Sequence, residues 1–586
     1  MDEIILVSSM AILVILAAFL SIVMNKIKFP PLIGFLAAGI IIANFMNLPQ
    51  DAIDVVEVFS TLGLIMLMFS IGMEIDLRKL KTQGRLALIV AAVQLPLMVI
   101  GGLTAGLLLG YNMLQSFCLG AIISGSSTAV VLAVLKSQGT LDKESIELLV
   151  LVTIMEDIGQ VIMLSILTPM LGGSEMSPDD LAILIIKIAI FMVACFTLGL
   201  YVVPRVIDWF YKRANDELIS LLCIGGLFTL AWAAHGMGLS VAIGAFLMGI
   251  MVGTSRPKEA VEHFVEPLKS LFMAMFFISV GMEVAISSLV DNVGLILVIY
   301  AVFALCKTAT VHLGYWVGNG DSRNGFISAV ALCAMGEFAF IISKEALDYG
   351  VMDQAFYSSV IGAALLSMIL LPILTEFSGK AYDRAGNVCP DIVRRFLNSL
   401  SAHRDELYRS LEAVSSKTRS LFNKGLAKSY FLVFLILLIQ LVFFYLYNPL
   451  SLWLTEHFGM NEFVWRVVIL VANFAILLFP CDRLASNIRM VLYILDIGNK
   501  KKPKKEESEE KTMFYETMNP LIIGAVIAMT AVILTPNGID TVLHIIILIV
   551  ILVAMAIYHM WKIKVGKKGP ALPNIHEDQE SEDVEA

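Results

Sequence analysis

The chain contains a long series of apolar runs, each about as long as a membrane-spanning helix. A helix needs roughly 20 apolar residues to cross the hydrocarbon core of a bilayer. Short polar loops separate the runs, and 16% of the 586 residues are charged, against about 25% in a typical soluble domain. The sequence therefore predicts an all-α polytopic membrane protein and excludes a soluble globular fold.

The apolar runs before residue 378 predict thirteen transmembrane helices. They lie near residues 4–24, 30–47, 56–74, 86–109, 114–135, 146–170, 181–203, 218–235, 237–253, 268–286, 292–317, 325–345 and 354–377. Basic residues gather in alternate loops, acidic residues in the loops between them, and Lys344 is the main basic exception. The positive-inside rule then predicts an N-terminus outside the cell and a cytoplasmic segment after residue 378.

Two motifs recur along the chain at nearly the same spacing. Residues 33–39 resemble residues 243–249 at an offset of 210, and residues 69–75 resemble residues 278–284 at an offset of 209. The members of each pair lie seven helices apart, and an odd number of crossings inverts the direction of the chain. The sequence therefore predicts two inverted six-helix repeats, which are typical of alternating-access transporters.

The repeat also predicts where helices are interrupted. Small and hydroxyl residues interrupt an apolar run at 124–129, and a glycine and a carboxyl interrupt the corresponding run at 334–338. Unwound backbone is tolerated in a membrane where it is buried in protein or lines a cavity. Two broken helices that cross there present dipole ends and free carbonyl groups. The candidate residues of this crossing are Gly125, Ser126, Ser127 and Gly336.

An acidic pair, Glu156 and Asp157, lies near the middle of the apolar run at 146–169. A charged group there costs at least about 2.5–3.5 kcal/mol, so carboxyls in such positions usually serve a function. Adjacent helix positions point about 100° apart, so one carboxyl can face a cavity while the other faces a protein partner. We expect Asp157 to bind an ion.

A lysine, Lys307, lies near the centre of the run at 292–317. A buried lysine keeps its charge where a carboxylate compensates it. Glu156 is its natural partner, and Glu337 is a second possible acidic neighbour. A structural salt bridge without a role in transport is the alternative interpretation.

Together these motifs resemble the monovalent cation:proton antiporter superfamily, in its prokaryotic branch of sodium/proton and potassium-efflux antiporters. The resemblance covers about residues 1–378 and rests on four segments. They are the acidic pair 156–157, the break at 125–129, residues 277–282 and residues 336–338.

The resemblance implies a homodimer with a scaffold domain and a mobile core domain that moves like an elevator. It also implies that Asp157 binds a cation or a proton in competition, that Glu156 and Lys307 form a neighbouring pair, and that Thr128 lies by the site. The pair here is Glu-Asp. Electrogenic members typically carry Asp-Asp, electroneutral members Asn-Asp and potassium-efflux members Gln-Asp. The choice between Na⁺ and K⁺ and the stoichiometry therefore stay open.

The rest of the chain predicts a different organisation. Residues 379–426 are basic and amphipathic, which predicts helices at the cytoplasmic surface, with a solvated linker as the alternative. Four further transmembrane helices are predicted near 427–449, 463–480, 516–535 and 541–562. The predicted domains are an antiporter transmembrane domain at 1–378 (repeats about 1–170 and 218–378, linker helix 181–203), a connector at 379–426, C-terminal helices at 427–565 and an acidic cytoplasmic tail at 566–586.

The sequence as a whole favours a secondary transporter that exchanges Na⁺ or K⁺ for H⁺ and is not an enzyme. We expect no cofactor, no tightly bound metal and no nucleic acid. The expected partners are H⁺, a monovalent cation (Na⁺, K⁺ or Li⁺), membrane lipid and a second copy of the chain in the plasma membrane of a prokaryote. A channel-like conduit and a membrane sensor or assembly subunit that has lost transport are the alternatives.

Overall fold

A computed structural model describes residues 3–27, 29–46, 48–75, 84–172, 191, 195–388, 416–459 and 461–498, together with a few residues between 401 and 409. The described residues form helices joined by short turns. The helices of the first half are α1 (Glu3–Lys26), α2 (Pro31–Phe45), α3 (Gln50–Glu74), α4 (Arg85–Leu108), α5 (Met113–Ile122), α6 (Thr128–Gln138), α7 (Lys143–Gly172) and α8 (Leu200–Tyr211). The later helices are α9 (Asp216–Gly236), α10 (Val241–Gly253), α11 (Lys258–Met282), α12 (Ile286–Asp291), α13 (Val293–Val317), α14 (Ser322–Ala331), α15 (Glu337–Asp348), α16 (Gln354–Val388), α17 (Ser416–Phe458) and α18 (Glu462–Gly498).

The membrane character of the chain is confirmed, because nine of the described helices are long and apolar enough to span a bilayer. Several of them extend beyond the predicted apolar runs. The helix predicted at 268–286 begins ten residues earlier, at Lys258, and ends at Met282. Its first turns carry charged residues such as Glu259 and Glu262, which a search for apolar runs leaves out.

Some predicted segments fall outside the described residues. They are most of the linker helix 181–203, the C-terminal helices near 516–535 and 541–562, and the acidic tail 566–586. The end of the linker region is described as a π-helical turn at Cys195–Gly199, and α8 follows it directly.

The predicted boundary at residue 378 falls inside α16, which continues to Val388. Contacts with the start of α14 hold this extension in place. Arg323 forms an ion pair with Asp383 at 3.2 Å, and the Tyr382 hydroxyl lies 3.0 Å from the Ser322 hydroxyl. The far end of the predicted connector 379–426 belongs to α17, which begins at Ser416.

The helices of the first compact unit, which ends at Cys389, sort into two packed groups. In the first, α3 packs against α10 and α11, α2 packs against α1 and α11, and α9 packs against α10. In the second, α4 packs against α5, α7 and α13, and α14 packs against α13 and α16. We call α1–α3 with α8–α11 the scaffold group, and α4–α7 with α13–α16 the core group. Across the two groups, α7 packs against α10.

The glycines of the repeated motifs lie where the two halves of the scaffold group cross. A Cβ atom on Gly39 would lie 2.1 Å from the Ile278 carbonyl oxygen, and one on Gly249 would lie 2.1 Å from the Phe69 carbonyl oxygen. Gly39 faces Gly281, and Gly249 faces Gly72. The backbones of α2 and α11, and of α3 and α10, thus approach in a way that only glycine permits, which explains why the motif recurs in both halves.

The second compact unit contains α17 and α18. The two helices pack as an antiparallel hairpin. Leu432 and Ile436 on α17 pack with Leu477 and Cys481 on α18. In the same hairpin, the buried Asn473 amide donates to the Gln440 side chain at 3.4 Å.

The helix ends of the first unit gather on two faces, because successive membrane-spanning segments run in opposite directions when each interrupted helix counts as one segment. One face, which we call the basic face, contains Lys26, Lys143, Arg213, Lys258 and Arg323. The other, the acidic face, contains Asp51, Asp291 and Asp353.

Candidate ion-binding site

Two interrupted helices cross in the middle of the core group. The first ends as α5 at Ile122 and resumes as α6 at Thr128, and the second ends as α14 at Ala331 and resumes as α15 at Glu337. Both interrupted helices begin with the same kind of N-cap hydrogen bond, at positions 209 residues apart. The Asn112 side chain accepts from the Gln115 backbone, and the Asp321 side chain accepts from the Asn324 backbone.

The two breaks are bound to each other through an isolated antiparallel bridge between Ser126 and Met335. The Ser127 backbone N–H donates to the Ala334 carbonyl oxygen at 2.9 Å, and the Ser126 hydroxyl donates to the Leu332 carbonyl oxygen at 2.8 Å. These bonds satisfy backbone groups that the interruption removes from the helices.

Glycine avoids a steric clash on both sides of this crossing. A Cβ atom on Gly336 would lie 2.8 Å from the Ser126 carbonyl oxygen, which is closer than real contacts allow. A Cβ atom on Gly125 would fall on the Gln160 side chain, 1.8 Å from its Oε1 atom. The first contact is with backbone and cannot relax, so Gly336 is the stricter requirement.

A buried ion pair lies next to the crossing. Glu156 and Lys307 have no exposed side-chain surface, and Lys307 Nζ lies 3.0 Å from Glu156 Oε1. Lys307 also donates to the Ser124 carbonyl oxygen at 2.9 Å, and the buried Gln94 amide donates to Glu156 Oε1. Lys307 is therefore in contact with Glu156, the partner expected from the sequence. It also contacts the C-terminal end of a broken helix, where helix carbonyls attract a cation.

Asp157 lies beside this pair in a different environment. Its side chain keeps partial exposure, and it forms no ion pair within the described residues. Glu337, Glu74 and Lys307 are close enough to interact with it electrostatically. A carboxylate with neighbours of mostly negative charge attracts a cation or a proton to reduce the repulsion.

The polar atoms around the two carboxyls are rich in oxygen. Gln94 Oε1, Glu156 Oε2 and Gln160 Oε1 are buried and accept no hydrogen bond within the described residues. Oxygen atoms are the ligands that hard cations prefer, so this part of the core group has the donor atoms of a site for such an ion.

The remaining predicted residues also lie at the crossing. Thr128 is the first residue of α6 and is half-buried, and Glu337 is the first residue of α15. The Ser127 hydroxyl lies beside the Glu337 carboxyl.

Sequence reasoning missed two side chains, Gln94 and Gln160. Each is a polar residue inside an apolar run, and that was the available signal. Gln160 follows Glu156 by four positions, on the same face of α7, and its amide nitrogen donates to the Ala121 carbonyl oxygen at 3.4 Å.

Fold and site together define a helical membrane protein in which two broken helices cross beside a buried ion pair and a partly exposed carboxylate. The sequence matches the family described as "Sodium/hydrogen exchanger, transmembrane" over residues 12–378. The chain belongs to this family.

Curated relatives are similar over the same part of the chain. "K(+) efflux antiporter 5" of Arabidopsis thaliana is 28% identical over 376 residues, which covers 63% of this chain and 66% of that protein. "Na(+)/H(+)-K(+) antiporter GerN" of Bacillus cereus is 25% identical over 361 residues, which covers 61% of this chain and 92% of that protein. The chain thus spans about two thirds of the length of the first relative and most of the second.

A solved structure has a similar fold. The sodium proton antiporter MjNhaP1 from Methanocaldococcus jannaschii at pH 8 superposes with a TM-score of 0.53 and 17% sequence identity. The superposition covers 65% of this chain and 98% of that chain. At this identity the likeness concerns the fold.

Proposed function

We propose that the protein is a secondary transporter that exchanges a monovalent cation, Na⁺ or K⁺, for H⁺. The observation that carries the proposal is the contrast between adjacent carboxyls. Glu156 is buried and paired with Lys307, whereas Asp157 is partly exposed and has no ion-pair partner within the described residues. The names of the Arabidopsis and Bacillus relatives, which are K⁺ and Na⁺/H⁺-K⁺ antiporters, support it.

In this mechanism the Asp157 carboxylate holds either one cation or one proton. A bare carboxylate is costly to move through the membrane interior, by about 2.5–3.5 kcal/mol or more. The site therefore changes face when a bound cation or a bound proton has neutralised it. Each return with the other ligand completes an exchange. Glu156, Lys307, Thr128 and Glu337 shape the site around Asp157.

Movement of the core group against the scaffold group provides the alternating access. The separate packing of the two groups supports this. The close glycine crossings between α2 and α11 and between α3 and α10 favour a rigid scaffold. The core group contains the crossing, the ion pair and Asp157, so the site moves as one body.

We further propose that the basic face is cytoplasmic. The positive-inside rule supports this orientation, because most loop lysines and arginines lie there. The N-terminus is then outside. The resemblance to prokaryotic antiporters supports a homodimer in the plasma membrane.

Proton flux in proteoliposomes tests the exchange. A trapped pH-sensitive dye reports the internal pH while Na⁺, K⁺ or Li⁺ is added separately. We expect at least one cation to collapse an imposed pH gradient, Asp157→Asn to abolish the response, and Asp383→Asn to preserve it, since Asp383 forms an exposed pair with Arg323.

Three results contradict the proposal in different ways. Cation conductance without proton counterflow favours a channel. No response from folded, inserted protein favours a sensor or assembly subunit. A response that survives Asp157→Asn moves the site to another carboxylate.

A further inference from the structure

Polar contacts between the core group and the scaffold group cluster toward the acidic face. Lys344 Nζ on α15 lies 4.0 Å from Glu283 Oε1 at the end of α11. The Tyr357 hydroxyl on α16 donates to the Val280 carbonyl oxygen on α11 at 3.0 Å, and the Gln354 amide donates to the Glu283 carbonyl oxygen. Lys344 is the basic residue that breaks the alternation of loop charges, and this acidic partner accounts for its place.

A carboxyl that the proposed transport step does not use lies in the same layer. Glu345 Oε1 accepts from the Thr168 hydroxyl of α7 at 2.9 Å. The Ser240 hydroxyl, at the start of α10, lies beside the same carboxyl. Since α7 of the core group packs against α10 of the scaffold group, Glu345 lies at the boundary between the two groups.

This layer lies between the site and the acidic face. Glu345 follows Glu337 by eight positions along α15, which is about 12 Å at 1.5 Å per residue. An edge-on contact between Phe340 of the core group and Phe277 of the scaffold group, with centroids 5.5 Å apart, lies between the two levels.

The opposite side of the site has a different character. Glu74, at the end of α3 nearest the basic face, is exposed and is close enough to act electrostatically on both Asp157 and Glu337. Charged side chains near Glu74, among them Lys258, Glu262 and Lys269, surround this approach. Asp157 is thus within electrostatic range of an exposed carboxylate at the basic-face end of α3, while the contact layer lies between Asp157 and the acidic face.

We propose that Lys344, Glu345, Tyr357, Glu283 and Ser240 form a latch that holds the core group with Asp157 open to the basic face. The latch residues are positioning residues: they do not touch the ion and act by setting the balance between the two orientations of the core group. The inference rests on the proposed alternating access and assigns the closed gate to named contacts. Opening toward the acidic face requires these contacts to separate.

Labelling of a cysteine at the site tests the latch without requiring transport. Asp157→Cys is introduced into the full chain in membrane vesicles, and a membrane-impermeant thiol reagent is applied to one face at a time, with the parent chain as background. The latch is weakened by Lys344→Gln with Tyr357→Phe, which remove the ion pair and one hydroxyl donor. Arg323→Gln is the matched control, because its ion pair with Asp383 joins two helices of the core group.

We expect the latch variant to be labelled about two- to tenfold faster from the acidic face, the range that one or two lost polar contacts produce. Labelling from the basic face slows, and Arg323→Gln behaves like the parent. Unchanged labelling from the acidic face overturns the latch, as does an equal increase with Arg323→Gln. If labelling shifts while the wild-type chain shows no cation-dependent proton flux, the latch stands and the proposed function fails. If flux is present and labelling does not shift, the latch alone fails.

Discussion

We expect the contributions of Glu156 and Lys307 to the stability of the protein to be strongly coupled, so that the loss of one partner costs far more than the loss of both. Both side chains are fully buried at a distance of 3.0 Å between Lys307 Nζ and Glu156 Oε1. Removal of one partner leaves a buried charge without compensation, which typically costs about 3–5 kcal/mol. Replacement of both partners by neutral side chains of similar size is often neutral, because the desolvation penalty disappears with the charges.

The test is a double-mutant cycle with Glu156→Gln, Lys307→Met and the combined variant. We expect each single variant to lose about 3–5 kcal/mol of unfolding free energy and the combined variant to return to within about 1–2 kcal/mol of the parent. Lys307→Met is expected to be the more costly change, because it also removes the donor to the Ser124 carbonyl oxygen.

Denaturant unfolding of the purified protein in detergent measures these differences. Arg323→Gln serves as the control for an exposed ion pair, with side chains that are 49% and 58% exposed, and we expect no measurable change there. Additive losses in the combined variant would refute the reasoning, as would single variants as stable as the parent.

Three further predictions use other parts of the first unit. Gly39→Ala forces α2 and α11 apart, since its Cβ would lie 2.1 Å from a carbonyl oxygen, and we expect it to lower the free energy of unfolding by about 1–3 kcal/mol. The control Gly225→Ala, whose Cβ would have nothing within 4 Å, is expected to be neutral or slightly stabilising. Equal effects of the two substitutions would contradict the packing argument. Gln94→Leu removes a donor to Glu156 and should lower the exchange rate in proteoliposomes more than it lowers the amount of folded protein; an unchanged rate would exclude a supporting role. If Asp157 holds either ligand, the apparent cation affinity measured by flux should fall about tenfold for each unit by which the pH is lowered, in the range where the proton occupies most of the sites. An affinity independent of pH would argue for separate sites for the cation and the proton.

The sequence predicted the crossing well because its signals are local. Small residues at 124–129 interrupt an apolar run, and the offset of 210 points to the second break. The structure has its breaks at 123–127 and 332–336. The partner of Lys307 could also be predicted from the sequence, since few carboxyls lie at membrane depth.

The first residues of the helices and the side chains that support the site were harder to predict from the sequence. Helix α3 begins at Gln50, before the predicted residue 56. The prediction missed its first turns because they carry Asp51 and Asp54 on the acidic face and fall outside the apolar run. That Gln94 meets Glu156 depends on how α4 is rotated against α7, and this is set by packing across the core group. Propensity and hydropathy contain no information about such a rotation.

Proton release on cation binding tests the central claim most directly. Purified protein in a weakly buffered detergent solution is titrated with Na⁺ or K⁺ while the pH is recorded, at a pH where the site is protonated. The account predicts release of about one proton per bound cation, because one carboxyl cannot hold both, and no release from Asp157→Asn. Cation binding without proton release in the wild-type chain would contradict it.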